Sequence, residues 1–115
     1  MKELVKVFKA VADPNRIRIL KMLQQKKMCV CELSAVLGIT QPSVSRHLSM
    51  MRDAGLVRDE RDGQWINYEL CEEKLNQYAP VIMRYLKDWI NDSPRIKEDA
   101  AKLKHLNREQ LCKKT

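Results

Sequence analysis

Residues 32–54 hold two short apolar-periodic segments joined by one glycine-led turn, and few small folds accept that pattern. Leu33, Val36 and Leu37 share one face of a helix over residues 32–37. Gly38 ends it, because glycine adopts the left-handed backbone that closes a helix without steric cost. Thr40 can cap the following helix and Pro42 fits its first turn, so the spacing predicts a helix from about Gln41 to Ala54, stopped by Gly55. On it Val44, Leu48 and Met51 form the packed face, while Ser43, Ser45, Arg46 and Ser49 fall largely on the other. Helix, glycine turn and helix is an arrangement with which small domains read DNA. Short polar groups beside an arginine suit a helix that approaches base edges, although an ordinary solvated face fits the same residues.

The flanking segments extend this reading. Leu4, Phe8 and Val11 recur at helical spacing and predict a first helix; Asp13 caps a second from Pro14, packed through Ile17, Leu20 and Leu23 and decorated by Arg16, Arg18, Lys21, Lys26 and Lys27. Asp62-Gly63 between residues 57–61 and 64–68 favours a two-residue turn and a β-hairpin. Ile66, Tyr68 and Leu70 would cover the core from one strand face, with Trp65 and Asn67 on the other. Arg61 and Gln64 at the tip could reach phosphate or the minor groove. Leu75, Tyr78, Ile82, Tyr85 and Trp89 alternate at spacings of three and four, which predicts a helix over 72–91 whose stripe needs a partner: its symmetry mate in a homodimer is the reading preferred, and a burial site within the protomer the alternative. The fold class expected is mainly α with a small β-hairpin, a homodimeric winged helix-turn-helix. Residues 1–92 form the DNA-binding and dimerisation domain, and 93–115 a basic extension able to form another helix.

Charge separates partners. The 115 residues carry a net +7, distributed as +6, −2 and +3 over residues 1–30, 31–70 and 71–115. The excess favours a polyanion through counterion release, while the central segment must bind by geometry. No apolar run is long enough for a membrane span and no leader-like segment opens the chain, so a cytoplasmic address is expected. In that compartment Cys29, Cys31, Cys71 and Cys112 read as thiols or ligands rather than a disulfide framework. Cys29 and Cys31, one residue apart at a helix start, can share one thiophilic centre. Buried packing is the other fate open to such cysteines, and hard ions are excluded by ligand type. Cys71 reads as packing, Cys112 as ligand or bystander. No phosphate-binding glycine loop or nucleophile-base set supports an enzyme.

The runs Cys29-Val30-Cys31-Glu32-Leu33, Gly38 to Leu48 and Gly63 to Tyr68, with Ala12 to Leu20 before them, resemble the ArsR/SmtB family over about residues 4–90. The resemblance implies a homodimer on a palindromic operator, joined through the 72–91 helix with the N-terminal helix. DNA contacts at Gln41, Ser43, Ser45, Arg46 and His47 follow from it, as does release when inducer binds. Its arsenite-sensing branch carries three thiols, at positions matching Cys29, Cys31 and residue 34. Residue 34 here is Ser34, so a third sulfur must come from Cys112, Cys71 or an outside thiol. Arsenite or antimonite is the inducer expected. Cadmium, lead or thiol oxidation on the same scaffold is the alternative, and a thiol or metal carrier without operator binding is a further one.

Overall fold

A computed structural model describes residues 1–71 and 76–112. Helices α1 (Lys2–Val11) and α2 (Pro14–Leu23) meet at Asp13, whose carboxylate accepts the Asn15 and Arg16 backbone N–H groups at 2.8 and 3.1 Å. These are two of the donors that a helix start leaves unpaired. Strand β1 (Met28–Cys29) leads directly into α3 (Val30–Leu37), and α4 (Gln41–Asp53) follows the turn. Gly38 sits at φ 72° and Thr40 accepts the Ser43 N–H at 3.3 Å, so the glycine stop and threonine cap act as expected.

β2 (Val57–Asp62) and β3 (Trp65–Leu70) form the hairpin, closed by Gly63 at φ 61°. The sheet gains a strand that the sequence reading lacked: β1 pairs antiparallel with β3, Met28 opposite Tyr68 and Cys29 opposite Asn67, giving the order β1-β3-β2. Ile19, Leu20, Leu33, Val44, Leu48, Met51 and Leu56 form the buried centre, with Tyr68 and Leu70 packed against it. One apolar stripe, on β3, differs from expectation at Ile66, which is exposed. On α1 it is Val7 and Ala10 that are buried, while Phe8 is 52% exposed. Phe8 therefore belongs to a surface stripe with Val5 rather than to the protomer core.

Beyond the hairpin lie α5 (Ala79–Leu86), α6 (Pro94–Leu103) and α7 (Arg108–Leu111). The helix expected over 72–91 is shorter, and Leu75 lies outside the described residues. Its end has a visible cause. The buried Lys21 ammonium donates to the carbonyls of Leu86 and Trp89 at 2.9 and 3.0 Å and to Asn91 Oδ1, gathering acceptors that a continuing helix would use itself. Ile90 then turns at φ 54°, a backbone region unfavourable for a β-branched residue. Burial of Lys21 holds its pKa below the ordinary lysine value. The carboxylate of Asp99, 2% exposed, receives a two-pronged Arg18 guanidinium at 2.8 and 2.9 Å and so docks α6 on α2.

Candidate DNA interface and thiol site

The polar face of α4 is open. Gln41, Ser45, Arg46 and Ser49 are exposed, and Arg46 donates to Ser43 Oγ at 3.1 Å, which orients its guanidinium beside the helix start. Ser43 is half-buried and its hydroxyl also meets Thr40 Oγ1 at 3.0 Å. Arg61 and Gln64 flank the hairpin tip, both exposed. Acidic residues share this wing: Asp59 pairs with Arg52 at 3.0 Å, while Glu69 accepts Arg58 and Lys27. The hydrogen bond from Arg58 is the main reason that Glu69 stays ionised below the ordinary carboxylate range.

His47 is placed differently from its neighbours. It is half-buried, with Nδ1 lying 3.1 Å from Arg16 Nη1, and Arg16 also donates to the Ala10 and Lys9 carbonyls at 2.8 and 3.0 Å. Since guanidinium can only donate, Nδ1 accepts, and the neutral ring carries its proton on Nε2. Burial foremost, then the nearby Arg16 and Arg46 charges, lowers its pKa against the opposing pull of Asp13. One side of His47 thus locks α4 to the junction of α1 and α2.

At the other end of α3 the four cysteines separate. Cys29 is buried at the N-cap, where its sulfur receives the Glu32 backbone N–H and its own N–H donates to Glu32 Oε1 at 3.1 Å. This reciprocal box satisfies two helix-start donors. Burial raises the Cys29 thiol pKa, and the Glu32 N–H and the Arg108 charge counter it only in part. Ser34 donates to the Ile39 carbonyl, so its hydroxyl braces the turn before α4. Cys71 is half-buried at the end of β3, its N–H donating to Leu56 O at 3.0 Å.

Cys31 and Cys112 are joined in a disulfide, with Cα atoms 5.8 Å apart across 81 residues of sequence. The expectation that these cysteines do not form disulfides is corrected at this pair. The reason is packing: α6 and α7 fold back along α2 and α3, and the Cα separation falls inside the range that two cysteines can bridge. Among the described residues no three His, Cys, Asp or Glu side chains form a ready metal cage. The extension thus delivers Cys112 to Cys31, while Cys29 stands two residues away in its cap.

A second helix presented after a tight turn, beside a three-stranded wing, defines a winged helix-turn-helix DNA-binding module. Residues 13–59 match the family model described as bacterial regulatory protein, arsR family. The arsenic resistance transcriptional regulator ArsR1 of Pseudomonas putida is 38% identical over 98 residues, spanning 80% of this chain and 76% of that protein. ArsR2 of the same organism is 32% identical over 114 residues, 92% of this chain and 94% of its own length. The homodimeric winged helix-turn-helix DNA-binding domain of a Mycobacterium bovis protein shares the fold, with TM-score 0.64 at 20% identity over 92% of this chain and 86% of that one. The chain belongs to the arsR family; it is a DNA-binding transcriptional regulator, not an enzyme. No helix among the described residues is long and apolar enough to cross a membrane.

Proposed function

We propose that this chain is a homodimeric repressor that binds its operator through α4 and the wing and releases it when arsenite or antimonite is captured by Cys29, Cys31 and Cys112. The observation that carries the reading is the position of Cys112 against Cys31, which supplies a sulfur in place of the one that Ser34 lacks. Relatives named as arsenic resistance regulators support the inducer class. A soft trivalent centre favours thiolates over the hydroxyl of Ser34. With Cys31 and Cys112 reduced by cellular thiols, arsenous acid exchanges its three hydroxyls for three sulfurs. Each thiol proton leaves with a hydroxide as water, three waters in all.

Two thiols are already adjacent; the third is spoken for. To reach the same centre, the Cys29 sulfur must leave the Glu32 N–H, which undoes the box at the start of α3 and strains the pairing of Cys29 with Asn67. The helix that carries the turn before α4 and the sheet that carries the wing are both disturbed, so the operator-bound geometry is disfavoured. A coupling of about 1–3 kcal/mol per site, typical of such linkage, would lower operator affinity by orders of magnitude in a dimer. On the DNA face Gln41, Ser43, Ser45 and Arg46 contact the operator, with Arg61 and Gln64 at the flank and His47 reaching it only from its free edge. Val5 and Phe8 of α1 and Val81, Tyr85 and Trp89 at α5 and its end are exposed apolar groups, Tyr85 and Trp89 stacked at 5.6 Å, and they supply the dimer seam.

A second reading, induction by oxidation, is favoured by the Cys31–Cys112 disulfide itself. One experiment separates the two: fluorescence anisotropy of the reduced protein on the DNA upstream of its gene, titrated with arsenite or with diamide. Cys31→Ser and Cys112→Ser should lose both responses. Cys29→Ser should lose only release by arsenite, because Cys29 takes no part in the disulfide. Release of Cys29→Ser by arsenite at the unmodified dose would refute the three-thiol reading.

A further inference from the structure

The one-turn helix α7 touches two functional regions at once. Arg108 opens this helix and Cys112 is its C-cap one turn on, and the Cys112 N–H closes the turn on Arg108 O at 2.8 Å. Cys112 is bonded to Cys31. Arg108 lies against the wing: its guanidinium sits 4.6 Å above the Trp65 ring and donates to Asn67 Oδ1 at 2.6 Å. Asn67 in turn is the strand partner of Cys29. A closed circuit therefore runs Cys31, Cys112, Arg108, Asn67, Cys29, with both ends at the thiol site and its middle on β3.

The contact is specific in chemistry. A planar guanidinium can stack on an indole and offer a forked donor to an amide oxygen together, which a lysine ammonium does poorly. Trp65 and Asn67 lie on the strand face away from the helical core, so Arg108 is the group through which the extension holds that face of β3. Any shift of Cys112 by one bond's length drags the same helical turn.

We propose that Arg108 is a positioning residue that transmits the state of the thiol site to the wing, setting the hairpin's angle on DNA according to where Cys112 is held. The proposal rests on the thiol-sensing reading above and adds the route by which that site is felt at β3. Removal of the Arg108 side chain leaves the thiols intact but uncouples them from the hairpin.

The test uses the full chain, with Trp65 emission taken as the difference from a matched Trp65→Phe control, so that Trp89 stays in the dimer seam. Arg108→Ala, Arg108→Lys and Asn67→Ala are each measured for operator affinity, for thiols consumed per arsenite and for Trp65 emission before and after arsenite. The expected result for Arg108→Ala is operator affinity close to the parent's, three thiols consumed as in the parent, no Trp65 change, and an arsenite-driven loss of affinity smaller by about tenfold. Arg108→Lys should recover part of the response and Asn67→Ala should weaken it, which also covers the case in which Arg108→Ala fails to fold. Full release and a parental Trp65 change in Arg108→Ala, or in Arg108→Lys and Asn67→Ala together, would overturn the proposal. If the parent itself neither consumes thiols nor releases DNA with arsenite, the inducer reading fails instead. The same variants titrated with diamide then decide the role of Arg108, with loss of the Trp65 change in Arg108→Ala supporting it and an unaltered change refuting it.

Discussion

Replacing Asp99 with alanine tests what holds the extension in place. Asp99 is 2% exposed and accepts Arg18 at 2.8 and 2.9 Å, while the Arg18 side chain is only 12% exposed and, among the described residues, has one further donor contact, to Asn15 at 3.3 Å. Asp99→Ala leaves a guanidinium with little water to replace the carboxylate, and breaking a buried pair in this way costs about 3–5 kcal/mol. For a chain of this size a urea slope of about 2 kcal/mol per molar converts the loss into a midpoint lower by about 2 M. Measurements belong at one protein concentration, since assembly adds to stability. Substituting both partners, Arg18→Met with Asp99→Leu, removes the orphaned charge and should restore most of the midpoint. The functional consequence is separable: with α6 undocked, Cys112 loses its place beside Cys31, and air oxidation should close the disulfide far more slowly. A midpoint shift under about 0.5 M, or closure at the parental rate, would refute the argument that this pair anchors the tail.

Arg46→Ala should weaken operator binding by about 1–3 kcal/mol with the fold intact, and unchanged anisotropy titrations would remove Arg46 from the contact set. Lys21→Met withdraws the ammonium from the Leu86 and Trp89 carbonyls and should cost about 1–3 kcal/mol in urea unfolding; equal or greater stability would show that those carbonyls find other donors. The lowered pKa of His47 fixes a sign: between its ordinary value of 6.5 and its folded value the unfolded chain holds a proton that the native chain does not. Its contribution is therefore whole above pH 6.5 and is lost as pH falls through the folded pKa. His47→Gln should flatten the stability profile as pH falls below about 6.5, and an identical slope in the two proteins would contradict the assignment.

The helix-turn-helix and the hairpin were legible because their signals are local. Asp13, Gly38, Thr40 and the Asp62-Gly63 turn each act within three residues of themselves, and each does so in the structure. What sequence patterns missed depends on partners far along the chain. A two-residue strand such as β1 has no periodicity of its own and exists because Tyr68 and Asn67 pair with it. Lys21 looks like one more basic residue on a solvated helix face until the end of α5 arrives above it. Phe8 fits a helical stripe by spacing, yet Val7 and Ala10 fill the core side of α1. Cys112 sits in a Lys-rich run without a local signal, and the Arg18–Asp99 pair, with the packing of α6 and α7 on α2 and α3, brings it to Cys31.

The 81-residue separation of Cys31 and Cys112 also orders events during synthesis. Every element given to the DNA face under the proposed function has been synthesised by the end of β3, whereas Cys112 follows some forty residues later. At about 5–20 residues per second, that delay is a matter of seconds. An unfinished chain of that length holds Cys29 and Cys31 but not the thiol that answers them. Under the proposed mechanism a nascent repressor is deaf to inducer, and responsiveness is conferred last.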